Sequence, residues 1–224
     1  LDVQLPVSRP VPLIGNYGVD VLASESSKIQ VSGVVVSEAA LNWSHSGSDR
    51  SLLEWLHSQN IPVLIDVDTR SLTKYLRIRG TMTGAISDTP VKASDMILTP
   101  KFASVDTPIS YNPGGKKKVI LVDCGAKENI VRSLVAQDLH VVRVPYDYDY
   151  TNEEYDGVML SNGPGDPTDY QATIDIARKA LAQDRPVFGI CLGHQIMALA
   201  AGAKTYKLKY GHRGHNQPCI EAAT

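Results

Sequence analysis

The chain is 224 residues long, 43% hydrophobic and 21% charged, with 22 basic against 24 acidic side chains. Such a composition belongs to a soluble globular protein of one or two domains, long enough to bury a real core. It excludes a nucleic-acid or anionic-membrane binder, because the one basic run, Lys116 to Lys118, has only three residues and counterion release needs clustered cations; nor is any apolar stretch long enough to span a bilayer.

The opening Leu1-Asp2-Val3-Gln4 has neither an initiator Met nor a basic-then-apolar leader. The chain is therefore expected to begin inside a longer or processed protein and to be cytoplasmic. Its three cysteines, at 124, 191 and 219, lie far apart without metal-ligand spacing, which fits a reducing compartment and no metal site. Residues 31–36 read as a strand, and 51–59 as a helix with Ser48 or Asp49 as cap. Residues 61–67 read as a strand and 71–79 as a helix ended by Gly80. Together they make a small α+β or α/β domain, placed at residues 1–112. The stretch 107–118, TPISYNPGGKKK, holds two prolines, Asn112 and the pair Gly114-Gly115. That makes a poor helix or strand and is expected to be the seam before a second domain, 116–224.

Beyond the seam, strand and helix signals alternate. Strands are expected at 118–122, 140–144, 157–160 and 186–190. Helices are expected at 129–137, where Ile130, Val131, Leu134 and Val135 have helical spacing, at 169–183, and at 192–201 before Gly202. This alternation specifies an α/β fold with a parallel sheet, and such sheets bind ligands at the carboxyl ends of their strands. The loops at 161–167 and at 191 both fall at such ends.

Gly189-Ile190-Cys191-Leu192-Gly193 is a G-x-C-x-G nucleophile elbow, set where an apolar strand hands over to a helix. A turn that sharp crowds its neighbours, and glycines on both sides remove the side chains that would clash. The sulfur then stands above the sheet, where the amides of a helix start favour negative charge and the N–H of Leu192 is placed to stabilise an oxyanion. A buried structural cysteine would not need the flanking glycines. Ser161-Asn162-Gly163-Pro164-Gly165-Asp166-Pro167 is by itself no more than a turn-rich loop. Beside the elbow, its unshielded backbone lets Gly163 donate the second oxyanion hydrogen bond.

These two motifs resemble those of the class I glutamine amidotransferases, and the resemblance covers 116–224. It implies that Cys191 attacks the glutamine carboxamide, giving a γ-glutamyl thioester and ammonia. It further implies that Gly163 and Leu192 supply oxyanion and substrate-binding backbone, and that Gly165 and Gln195 hold the glutamine backbone groups. Val67-Asp68-Thr69-Arg70-Ser71-Leu72-Thr73-Lys74, with Arg77 and Gly80 behind it, is similar to the amino-terminal domain of carbamoyl-phosphate synthetase small subunits, as is Pro12-Leu13-Ile14-Gly15-Asn16-Tyr17-Gly18. The segment from Lys209 to Pro218, KYGHRGHNQP, resembles the eukaryotic version, often fused to the synthetase in the multifunctional protein of pyrimidine synthesis. The resemblance thus implies glutamine and a synthetase domain or subunit as partners. It implies no cofactor in this domain, ATP and Mg²⁺ being used only by the synthetase.

The family's base, a His followed shortly by a Glu, has no counterpart in residues 192–224, and the family's first strands, which include a Ser that touches glutamine, are expected to be missing from this sequence. The polypeptide alone is therefore expected to be inactive. A non-catalytic, scaffolding amidotransferase-like domain is the alternative. His194, three residues after Cys191, reads as a packing or capping residue, because the helix carries it away from the elbow. Cys124 and Cys219 read as structural thiols. His45, His57 and His140, and the pair Asp147 and Asp149, read as surface, and His212 and His215 have no transferable role.

Overall fold

The computed structural model describes residues 13–80, 84–92 and 103–208. The first half holds two short parallel ladders, β1 (Leu13–Ile14) with β3 (Glu38–Ala39) and β2 (Val34–Val35) with β4 (Val63–Leu64). Both central strands are shorter than the apolar runs that announce them. Pro62 has no N–H, so the ladder cannot extend before Val63, and Asp66, at φ 66°, breaks its regular register, the Asp66 and Val67 N–H groups donating to Ser37 O and Val36 O instead.

Helix α1 (Leu52–Ser58) corrects the expected cap. Ser51, not Ser48 or Asp49, closes a capping box: its Oγ accepts from the Glu54 N–H at 3.1 Å while Glu54 Oε2 accepts from the Ser51 N–H at 2.8 Å. Helix α2 (Thr69–Arg79) starts two residues before its apolar period, because Asp68 accepts from the Ser71 N–H at 2.9 Å and from its Oγ at 2.6 Å. It ends at Gly80, φ 86°.

The second half is a five-stranded sheet in the order β5-β7-β6-β8-β9, comprising β5 (Ile109–Tyr111), β6 (Lys117–Asp123), β7 (Leu139–Pro145), β8 (Gly157–Leu160) and β9 (Val187–Gly189). All pairs are parallel except β5 with β7. The stretch read as a seam without strand therefore supplies an edge strand. Three residues between Pro108 and the Asn112–Gly115 turn suffice, since an edge strand needs only one row of partners. Further back, the Val105 N–H donates to Asp123 Oδ2 and the Tyr146 N–H to Ser104 Oγ, so this lead-in is fastened to the sheet.

Alternate residues of β6 face opposite layers. Ile120 and Val122 join Tyr170, Ile174 and Ala177 and the residues Leu192 and Ile196, beneath α4 (Gln171–Leu181) and α5 (Leu192–Ala200). Leu121 joins Val131 and Val141 beneath α3 (Glu128–Ala136). The chain goes from β6 to β7 on one side, then crosses to β8 and β9 on the other. The order reverses at β6, so the crevice beyond the carboxyl ends of β6 and β8 is the topological switch point. The halves also touch: Glu25 accepts from the N–H groups of Glu128 and Asn129 at the start of α3 and pairs with Arg132. Among the described residues no helix is long and apolar enough to cross a membrane.

Candidate active site

Three segments converge at that crevice: 123–127 after β6, 161–165 after β8, and Ile190-Cys191 after β9. Cys191 has φ 51° and ψ −107°, a sparsely populated conformation for a residue with a side chain, costing about 1–3 kcal/mol. The surroundings enforce it. A Cβ on Gly189 would stand 2.5 Å from the His194 nitrogen, and one on Gly193 would stand 2.2 Å from Leu160 O. Only glycines let α5 return so close to β8 and β9, as the flanking positions predict. The Ile190 N–H donates to Leu160 O, and the Gly193 N–H to Ser161 O and Ile190 O, which pins the elbow to the end of β8. Leu192 is buried and Cys191 is exposed. The N–H of Leu192, the first residue of α5, has no intrahelical acceptor by position.

The 161–165 loop lies against this elbow. A Cβ on Gly163 would meet Cys124 O at 1.9 Å and Leu192 Cδ2 at 2.8 Å, so Gly163 is wedged between the β6 loop and the first residue of α5. Its neighbours hold it there. Buried Ser161 accepts from the Cys124 N–H at 2.9 Å and donates to Asn162 O at 2.8 Å. Asn162 donates to Gly125 O at 3.2 Å and accepts from the Lys127 N–H at 3.3 Å. The Tyr170 hydroxyl reaches Cys124 O and Pro164 O. Gly165, at φ 95°, is exposed, with the Tyr170 ring 3.9 Å from where its Cβ would be.

Beneath the loops sits an ion cluster that the sequence reading does not contain. Asp123, fully buried, accepts from the Gly125 and Ala126 N–H groups through Oδ1 and from Val105 N–H and Arg143 Nε through Oδ2. Arg143 also donates to Glu128 at 2.7 Å. Desolvation opposes the Arg143 charge, but its two carboxylate partners prevail and hold its pKa above the ordinary value. Asp123 thereby shapes the 124–126 turn on which Gly163 rests. Its signal in the sequence is an Asp closing an apolar strand and an Arg inside the apolar run 139–145. Burial, and secondarily Asp123, push the Cys124 thiol up to about 12, and Cys124 has no exposure.

The structure thus brings Cys191, Leu192 and Gly163 together, with exposed Gly165 further along the loop after β8 and half-buried Gln195 one turn into α5. His194 is exposed on α5, and Cys191 Sγ has no hydrogen bond among the described residues. Asp147 and Asp149 belong to the loop after β7, where Asp149 pairs with Lys179 at 2.8 Å. His212, His215, Cys219, Pro12 and the whole of the Lys209 to Pro218 segment lie outside the described residues. No cluster of three metal-ligating side chains occurs among the described residues.

Comparison with known proteins points the same way. Residues 120–224 match the family Glutamine amidotransferase class-I, and residues 6–86 match the Carbamoyl-phosphate synthase small chain, CPSase domain. The chain is 44% identical over 231 residues to the multifunctional protein CAD of Squalus acanthias, covering 95% of this chain and 10% of that protein. It is 43% identical over 235 residues to the carbamoyl phosphate synthase arginine-specific small chain of Neurospora crassa, covering 52% of that protein. It is 43% identical over 232 residues to the carbamoyl phosphate synthase small chain of Symbiobacterium thermophilum, covering 64% of it. The chain therefore spans a tenth of the first and about half to two thirds of the other two.

Proposed function

Residues 120–224 belong to the class I glutamine amidotransferases and residues 6–86 to the carbamoyl-phosphate synthase small-chain domain, and on that premise we propose that the protein hydrolyses glutamine at Cys191 and hands the ammonia to a carbamoyl-phosphate synthetase. The observation that carries the reading is the packed elbow: a strained, exposed Cys191 whose helix start touches the Gly163 loop.

In the proposed chemistry, Cys191 Sγ attacks the side-chain carboxamide carbon of glutamine. The carbonyl oxygen becomes an oxyanion, received by the N–H groups of Leu192 and Gly163. The C–N bond then breaks, the departing nitrogen takes a proton and leaves as ammonia, and a γ-glutamyl thioester remains on the sulfur. Water attacks the thioester, releasing glutamate and the thiol. Gly165 and Gln195 hold the α-amino and α-carboxylate groups. This half of the reaction uses no cofactor. ATP and Mg²⁺ act in the synthetase partner, which is the other party to the ammonia transfer in the cytoplasm.

The pathway proposed is pyrimidine synthesis. It rests on the likeness of residues 209–218 to the eukaryotic fused form. Replacing Cys191 by Ala in the source organism tests it: a uridine requirement supports the assignment, and an arginine requirement with normal growth without uridine overturns it. Trapping tests the chemistry. Radiolabelled glutamine with acid quenching is expected to leave label on the complete protein, bound through Cys191 and released by hydroxylamine. No label on the wild type would contradict the thioester.

A further inference from the structure

Helix α2 buries none of its residues, yet it carries Arg70, Lys74 and Arg77 at i, i+4 and i+7, one helical face. Like charges four apart destabilise a helix, and none of the three has a carboxylate within ion-pair distance among the described residues. They line a cavity of about 530 Å³ between α2 and the turn after β2, within the size range of small-molecule sites. Its floor is already satisfied: Ser37 Oγ donates to Val67 O and shares a 2.8 Å hydrogen bond with Thr69 Oγ1, while Thr73 Oγ1 donates to Thr69 O. The single acid in the lining, Asp68, is turned to Ser71, whose O–H and N–H hold its carboxyl below the ordinary range, with a smaller pull from Lys74. What remains is two guanidinium forks flanking one ammonium along about 10 Å of helix axis.

We propose that this cavity binds a small molecule bearing a diphosphate group. Guanidinium groups match tetrahedral oxyanions with paired hydrogen bonds. The stripe is too long for one such anion and suits two linked ones, Arg70 and Arg77 each taking a phosphate and Lys74 the space between. The site lies in the half of the chain that does not contain Cys191 and is independent of the glutaminase reading.

Calorimetric titration of the complete protein with sodium pyrophosphate at low salt is the test. One pyrophosphate site beyond those that ATP competes for is expected, weakened about tenfold or more in Arg70→Gln/Arg77→Gln, as loss of charge-assisted hydrogen bonds implies. Lys116→Gln/Lys117→Gln, which removes the same charge elsewhere, is expected to shift the affinity less than twofold. Far-UV circular dichroism verifies folding, and the single variant Lys74→Gln, expected to weaken binding severalfold, serves if the double variant does not fold. Absence of binding, equal affinity in the α2 variants, or displacement of pyrophosphate by an equally charged polyglutamate, which would make an acidic protein the occupant, each overturns the proposal.

Discussion

At Cys191, backbone strain and exposure coincide, whereas Cys124 is sealed beneath the Gly163 loop with its thiol raised to about 12. Brief alkylation near neutral pH is expected to label Cys191 well ahead of Cys124, because the thiolate is the reactive form and burial suppresses it. Peptide mapping reads the result, and preferential labelling of Cys124 would contradict the placement of the site. The glycines give a sharper test. In Gly193→Ala the new methyl carbon would stand 2.2 Å from Leu160 O, against backbone that cannot swing aside. The elbow must open, with a stability loss of about 1–3 kcal/mol and loss of glutamine hydrolysis. Urea unfolding and a glutamate-release assay measure the two effects, and an alanine variant with wild-type hydrolysis would show that the tight return is dispensable.

At the scale of elements, the loop after β8 depends on the turn after β6, and that turn on Asp123. Arg143→Met removes the partner of a buried carboxylate and is expected to cost about 3–5 kcal/mol, measured by urea unfolding. A loss under one kcal/mol would mean that Asp123 is held by its backbone donors alone. Helix α4 is tied to the loop after β7 by Lys179, which, followed by Thr151, holds the Asp149 carboxyl down at about 2. A depressed carboxyl contributes stability above its ordinary pKa and loses it as pH falls through the folded value. The stability difference between the wild type and Lys179→Met should thus be present at pH 6, at about 0.5 kcal/mol for so exposed a pair, and vanish near pH 2. A constant difference across that range would contradict it. The elements themselves differ in how far the chain announces them. Runs such as Ile120-Leu121-Val122 are fully buried, so β6 to α5 fall within a residue or two of their apolar patterns. In the first half, Pro62 and Asp66 cut the strands short and local caps set the helix starts. The elbow was legible because glycine spacing is a local, steric signal. The supports of Gly163 were not, because Ser161 meets Cys124 across 37 residues and Arg143 meets Asp123 across 20, pairings that only the folded sheet creates.

Over the whole molecule, the crevice at the switch point sets the exposed Cys191 against the Gly163 loop, with no hydrogen-bonded base on Cys191 Sγ among the described residues. In the proposed function, ammonia for carbamoyl phosphate is made at Cys191 and consumed elsewhere. Its most direct test is carbamoyl phosphate synthesis by the complete Cys191→Ala protein with glutamine or with free ammonia as nitrogen donor. Loss of glutamine-dependent synthesis by about three orders of magnitude, with ammonia-dependent synthesis intact, is the predicted result. Glutamine use retained by the alanine variant would contradict it.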